Sequence, residues 1–386
     1  MSCILVCASQ ALEGKNLALL RDAAVVVEGN SIAFVGPRNE ALKKYPLCEL
    51  IDLGGMTLLP GIIDCHSHTS MDAKVPGHLG MMNDPAPELT LRAVRYAKED
   101  LLSGITTARI LGDKHYVDVA MRNAIDKGDI PGPRLLIAGI GMRSIHGHGF
   151  VGVPHTGPEE FRKTCRENML RKVDWLKIFV TAGAPPPQGK HIQSFVSREE
   201  IETVTGEARR FGIRSSAHCI GGEGLVDCVK AGIDVIEHAY CAQNDDLKLI
   251  KDSGRFVCLT PSVFMDLERN TKNPPNVAMN TEAGRPEVIE AMKRIVSSGV
   301  KYAIGSDALH GCMALEASYA VQLGVSCHDA LLGITVHAAD LCGTSDRGSL
   351  EAGKLADIIA TAGNPLENIE NLKNVRFVMK NGVRCR

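Results

Sequence analysis

The chain has almost no excess charge of either sign, no long hydrophobic run and no C-x-x-C pair, and each shortage removes a class of function. Its 43 Lys and Arg residues against 45 Asp and Glu leave a net charge of -2. Such a balance sets up no global field for nucleic acid or for an acidic membrane surface. The opening residues Met1-Ser2-Cys3-Ile4-Leu5-Val6-Cys7 show no basic leader, and their apolar run is too short for a signal core or a membrane span. A cytoplasmic protein is therefore expected. The 13 cysteines are scattered, and an odd count cannot close entirely into intramolecular disulfides. Reduced thiols fit that compartment, most of them as small buried hydrophobes. What the chain does have is 386 residues with 45% hydrophobic content, enough for one large domain with an appendage.

The first 58 residues read as short strands and tight turns, with Gly29-Asn30 as a two-residue hairpin signal between apolar runs. The last forty or so have the same texture and turn back through Asn381-Gly382. Neither end alone buries a good core, so residues 1–58 and 345–386 are expected to pair into one small β-sandwich. Between them, over 59–344, apolar strands alternate with amphipathic helices such as 88–103 and 197–211. Strands are expected at 57–64, 105–111, 134–140, 175–181, 213–218, 235–238, 256–260 and 302–306. Eight such alternations match the size and rhythm of an α/β protein of the (β/α)8 TIM barrel type. In that fold chemistry sits at the carboxyl ends of the strands.

His66 and His68 follow the apolar run that ends in Ile62-Ile63-Asp64. A strand repeats every two residues, so an H-x-H at its end aims both imidazoles to one side, a chelating geometry. With 13 histidines in the chain the pair alone is either a ligand or an accident. The other strand ends supply Lys177, His218, His238 and Asp307. A lysine inside the apolar strand Trp175-Leu176-Lys177-Ile178-Phe179 is expensive unless its charge is removed or paired. Carbamylation by carbon dioxide is one outlet, and an ordinary ion pair or snorkelling is the other.

Asp64-Cys65-His66-Ser67-His68, the Lys177 strand, Ser216-Ala217-His218, Ile236-Glu237-His238 and Gly305-Ser306-Asp307 together resemble the amidohydrolase superfamily. More narrowly they are similar to its imidazolonepropionase-related branch, with its Xaa-Pro dipeptidases and carboxypeptidase-like binuclear metal hydrolases. The resemblance covers nearly the whole chain, including Leu59-Pro60-Gly61-Ile62-Ile63-Asp64 and the segment from Gly348 to Asp357. It implies two divalent metal ions, with His66, His68 and Asp307 on the more buried one, His218 and His238 on the second, and carbamylated Lys177 as the bridge. Zinc leads for such nitrogen and carboxylate-type ligands, with manganese, iron and cobalt compatible with the same set. The implied reaction is hydrolysis of a carbon–nitrogen amide bond by metal-activated hydroxide, with Asp307 moving the proton to the departing nitrogen.

In Arg143-Ser144-Ile145-His146-Gly147-His148-Gly149, the branch's pattern matches His148 to a group that polarises the substrate carbonyl or binds its oxyanion; a loop histidine facing water is the alternative. His146 has the weaker claim. Tyr240, two residues beyond His238, is a candidate for a substrate carboxylate or carbonyl, or else a packing residue, and Arg143 is the nearest cation for an α-carboxylate. The loops 69–88, with Met81-Met82, and 182–193, with Pro185-Pro186-Pro187, follow site strands and are expected to form lids or substrate walls. Ile110 and His337 stand where relatives often have an acidic residue and an asparagine, so no relative's substrate transfers directly. The leading substrate is a dipeptide or N-acyl amino acid; the alternative is a cyclic amide or imidazolone, or a deamination. The partners expected are a small-molecule substrate and copies of the same chain, with no nucleic acid and no membrane.

Overall fold

Successive side chains along β1 (Cys3–Glu13) alternate between two apolar clusters, Leu5 and Cys7 in one, Val6 and Ala8 in the other. β2 (Ala18–Glu28) does the same with Ala24 and Val26 against Ala23, Val25 and Val27. Burial on both faces is why these strands read as unbroken apolar runs. The computed structural model describes residues 3–187 and 190–386. After the expected Gly29-Asn30 turn comes β3 (Ser31–Pro37), then β4 (Glu49–Asp52) and β5 (Thr57–Pro60).

The middle of the chain supplies β6 (Ile62–Ser67), β7 (Ile105–Ile110), β8 (Arg134–Ile137), two short strands β9 (Met142–Ser144) and β10 (Val153–His155), then β11 (Trp175–Phe179), β12 (Arg214–Cys219), β13 (Val235–His238), β14 (Phe256–Leu259) and β15 (Lys301–Ile304). All pair in parallel, as one sheet β6-β7-β8 and a second ordered β10-β9-β11-β12-β13-β14-β15. The protein is thus mixed α/β with parallel sheets. The two sheets also meet beyond the named pairings. Asp174 N–H donates to Ile137 O (2.9 Å) beside β8, and Ser306 N–H donates to His66 O (3.1 Å) beside β6. The expected helices are present as Ala86–Leu102 and Arg198–Phe211, the second started by a capping box between Ser197 and Glu200.

The chain ends with β16 (Ile358–Thr361), β17 (Val375–Lys380) and β18 (Val383–Arg384), and these join β1 to β5 in an eight-stranded sheet. β5 is the splice, antiparallel to β16 and parallel to β1. The strand expected at 57–64 is therefore two, divided at Gly61. Gly61 N–H donates to Asp357 O in the terminal sheet (2.9 Å), and the next amide, Ile62 N–H, donates to Gly104 O just before β7 (3.0 Å). A side chain at Gly61 would overlap Thr106, so only glycine lets the chain cross there.

One expectation is corrected by register. β1 and β4 pair in parallel with Ile4 opposite Glu49, which sets Cys3 beside Cys48, and the two are joined as a disulfide rather than left reduced. The remaining cysteines are free and most are buried. Among the described residues no helix is long and apolar enough to cross a membrane.

Candidate metal centre

The side chains singled out above converge because their strands are neighbours in register. Phe179 lies opposite His218, and Cys219 opposite His238, so β11, β12 and β13 finish side by side. His66 Nε2 and His68 Nε2 lie 3.4 and 3.6 Å from Asp307 Oδ1. Ligand atoms of His66, His238 and Asp307 all fall within 4.8 Å of one another. The rings of His66 and His238 are 4.8 Å apart, those of His238 and His218 4.7 Å, and those of His218 and His148 4.5 Å. Lys177 is 0% exposed, and its Nζ is buried without a hydrogen-bond partner.

Hydrogen bonds to the far ring nitrogens decide which lone pairs are free. His68 Nδ1 lies 2.9 Å from Gly112 O, and a carbonyl only accepts, so Nδ1 holds the proton and Nε2 keeps a lone pair. His66 Nδ1 donates to Glu237 Oε2 (2.7 Å), freeing Nε2 on the Asp307 side. His218 Nε2 donates to Ala182 O (3.0 Å), leaving Nδ1. His238 Nδ1 is 2.8 Å from the Thr260 hydroxyl. Burial pushes His66 and His148 down to about 4, and holds His218 and His238 well below the usual imidazole range. Neutral imidazoles with free nitrogens are the ligand form. Burial likewise lowers Lys177 to about 8, which makes its free amine accessible near neutral pH.

Glu237, quoted above only within a motif, is the residue the rest leans on. It is 0% exposed and accepts from His66, from Arg109 Nη2 (2.8 Å) and from Ser216 Oγ (2.5 Å). Burial alone would raise its carboxyl, but Arg109 and His66 outweigh that and hold it well below the usual range. Arg109 is itself wholly buried, with its guanidinium 4.6 Å from the Trp175 ring centroid. Asp64 bridges the two strand ends that matter most, accepting from His66 N–H and Ser306 N–H (3.0 Å each) and from Ser306 Oγ (2.6 Å). His238 and Ala239 have φ of 75° and 53°, and Asp307 and Ala308 have 49° and 64°. Non-glycine residues held there cost about 1–3 kcal/mol each and persist where the surroundings over-determine them.

These groups open into a cavity of about 550 Å³. His148 lines it. Tyr240 lines it too, but its hydroxyl donates to Thr260 O (3.0 Å) and also meets Thr260 Oγ1, so its one proton is engaged. Arg143 does not reach the cavity: its Nη1 donates to the carbonyls of Ser144, Ile145 and Gly147 within its own loop. The cations at the wall are instead Lys190 and Arg269, the second from the short helix Leu267–Asn270. Nothing in sequence spacing linked that segment to Asp307. His146 is exposed, and His337 packs edge-on against Tyr302. Both long loops contribute walls, through Met71, His78 and Leu79 and through Ala182 to Pro187 and Lys190 to Gln193; residues 188 and 189 lie outside the described residues. Met82 is a core residue, buried at 0%.

Residues 57–385 match the sequence profile of the family described as the amidohydrolase family. The chain belongs to that family. Among curated relatives, Aspergillus niger ochratoxinase is 29% identical over 94% of this chain and 82% of its own. An imidazolonepropionase of Pseudomonas aeruginosa is 26% identical over 92% of this chain and 90% of its own. A solved structure of a Xaa-Pro dipeptidase with methionine bound in its active site superposes with a TM-score of 0.88 at 28% identity, covering 99% of each chain. This amidohydrolase shares its fold over full length with an enzyme whose active site is known to hold an amino acid.

Two predictions follow from the supports of the cluster. A glutamine at 237 cannot accept from His66 and Arg109 on two oxygens, so Glu237→Gln should weaken divalent-metal binding by about 10–100-fold in chelator competition; unchanged affinity would contradict the tautomer argument. The loop after β15 is tied by His310, whose ring donates to Asp100 (2.9 Å) and to Met71 O (2.8 Å). Two acceptors require both protons. Burial would lower its pKa, but Asp100 raises it to about 9. An unfolded histidine titrates near about 6.5, so this contribution is whole below that and lost as pH rises through about 9. The Tm gap between the protein and His310→Gln should therefore be larger at pH 6 than above pH 9, and an equal gap would contradict it.

Proposed function

We propose that this amidohydrolase is a metal-dependent hydrolase of carbon–nitrogen amide bonds, acting on a dipeptide or N-acyl amino acid with a pair of divalent cations, zinc first. The observation that carries the reading is Lys177, a buried amine without a hydrogen-bond partner among imidazoles that are neutral and ligand-ready. The donor set fits the metals. His66, His68 and Asp307 would hold one cation, His218 and His238 the other, and Lys177 as its carbamate would lie between them. The carbamate would form when the ammonium loses one proton to solvent and the free amine attacks carbon dioxide and loses a second, replacing an uncompensated cation by an anion that two positive ions require. The (β/α)8 barrel over 59–344, with a β-sandwich from 1–58 and 345–386, is the architecture this reading assumes.

When bound, the cations supply Lewis acidity and acidify water. The chain's own groups supply the rest. Asp307 Oδ1 lies beside His66 and His68, where it accepts the proton of the attacking water and returns it to the leaving nitrogen. His148, neutral and at the wall beside His218, donates to the substrate carbonyl oxygen as charge grows there. Tyr240 offers its ring and the remaining lone pair of its hydroxyl.

The wall speaks to substrate charge. Among the described residues that line the cavity Asp307 is the one carboxylate, and Arg269 is engaged with the Ser306 and Asp307 carbonyls, so Lys190 is the cation that meets a substrate carboxylate, while Leu79, Phe150, Ile192 and Phe264 bring apolar surface. A free dipeptide needs a counter-charge for its α-ammonium; an N-acyl amino acid does not. The favoured substrate thus has an uncharged apolar acyl part and an α-carboxylate. A second reading, hydrolysis of a cyclic amide or imidazolone or a deamination, rests on the similarity to imidazolonepropionase, and the Lys177 bridge weighs against it.

The test is a panel of dipeptides, N-acyl amino acids and cyclic amides with zinc or manganese supplied. N-acyl amino acids should give the highest kcat/KM, and Asp307→Asn should lower kcat by at least about a hundredfold while metal stays bound, since an amide oxygen still ligates but takes no proton. Turnover confined to ring substrates would overturn the leading assignment, and near-normal turnover in Asp307→Asn would remove its proton role.

A further inference from the structure

The turn that presents Asp307 is held on its two sides by different parts of the chain. Its amides are held from β6: Ser306 N–H and Asp307 N–H both donate to His66 O, at 3.1 and 2.7 Å. Its Ser306 and Asp307 carbonyls are held from the helix Leu267–Asn270, which is remote in sequence. Arg269 Nη1 donates to Ser306 O (2.8 Å), an oxygen shared with Leu309 N–H at 3.3 Å, and Nη2 donates to Asp307 O (2.7 Å). The same Nη1 donates to Ser262 Oγ (2.8 Å), and Nη2 lies 3.8 Å from Asp307 Oδ2. A planar guanidinium presents these donors in a fixed fork, which a lysine does not. Asp266 in turn fixes Arg269, its carboxylate accepting from the Glu268 and Arg269 amides at 2.8 and 3.2 Å.

Asp307, which these anchors grip, and Ala308, whose carbonyl accepts from Ala73 N–H (2.9 Å), have φ of 49° and 64°, a conformation that needs support from outside. Arg269 also belongs to the cavity wall, in the stretch that contributes Phe264 and Asn273. Its guanidinium is occupied by protein oxygens and is thereby turned to the turn rather than to a substrate carboxylate.

We propose that Arg269 is a positioning residue for Asp307: it locks the entry to the left-handed Asp307–Ala308 turn through the Ser306 and Asp307 carbonyls and so fixes where the carboxylate meets water and leaving nitrogen. The role in turnover rests on the reading under Proposed function; the role in holding the turn does not. Misplacing a reacting group by about 1 Å costs on the order of a hundredfold in rate.

The experiment compares the metal-loaded protein with Arg269→Lys and Arg269→Met, measuring kcat and KM on the best substrate of the panel, metal content, and amide hydrogen exchange over residues 304–310. Arg269→Met should lose about a hundredfold in kcat with KM within about threefold, Arg269→Lys should lose less, and guanidinium ion should restore part of the loss in Arg269→Met. Exchange over 304–310 should speed by about tenfold or more in Arg269→Met, with metal content unchanged. If Arg269→Met does not fold, Arg269→Lys decides by the same readings at smaller size. Unchanged exchange, or a kcat equal to that of the starting protein, overturns the proposal. So does a rise in KM with kcat kept, which would make Arg269 a substrate-binding group. A starting protein that hydrolyses no carbon–nitrogen bond defeats the proposed function, and the exchange measurement then still decides the role of Arg269 in the turn.

Discussion

Burying a lysine amine with no acceptor is the constraint on which the other features of this centre turn. In the interior an ammonium without a partner costs several kcal/mol, so Lys177 must either lose its proton or gain a counter-charge. Among the described residues no carboxylate is in hydrogen-bonding contact with it. The chain surrounds the position with buried imidazoles: His66, His68 and His218 each give one ring N–H to a carbonyl or carboxylate and keep the other nitrogen as a lone pair, and His238 meets the Thr260 hydroxyl. An amine whose proton is easily lost, among imidazoles with free lone pairs, is what the proposed pair of cations rests on, and a carbamate at that amine would supply the negative charge such ions need.

Holding that arrangement ready takes supports deeper than the site. Glu237 is kept ionised by Arg109, and the pair, wholly buried, fixes the proton on His66. A buried ion pair adds little net stability, but the loss of one partner strands the other, so such a pair specifies geometry more than it stabilises. At the opposite side the strained turns after β13 and β15 point His238 and Asp307 inward, and Asp64, His310 and Arg269 restrain the second of them.

The metal-competent residues were legible because a strand's period of two and the habit of ending strands in chemistry are local properties. His66, His68, His218, His238 and Asp307 each stood at a strand end in sequence and Lys177 inside one, and the histidines and Asp307 meet at one cavity edge while Lys177 is buried. Glu237 was in plain view beside His238, yet a glutamate next to a ligand reads equally as a neighbour until its alternate face is known. Arg143 was the nearest cation by sequence and was spent on its own loop; Arg269 was far in sequence and stands at the wall. The Cys3–Cys48 bond depended on a parallel register that spacing alone does not give. The split of one apolar run at Gly61 depended on two sheets competing for consecutive amides. Local pattern was readable, and long-range pairing was not.

The most direct test of the account is isotopic. Protein loaded with divalent metal in the presence of 13C-bicarbonate should show one carbamate carbon per chain by 13C NMR, together with close to two metals, and Lys177→Ala should lose the carbamate signal and at least one metal. A firm ratio of one metal with a free Lys177 amine, or two metals retained in Lys177→Ala, would contradict it.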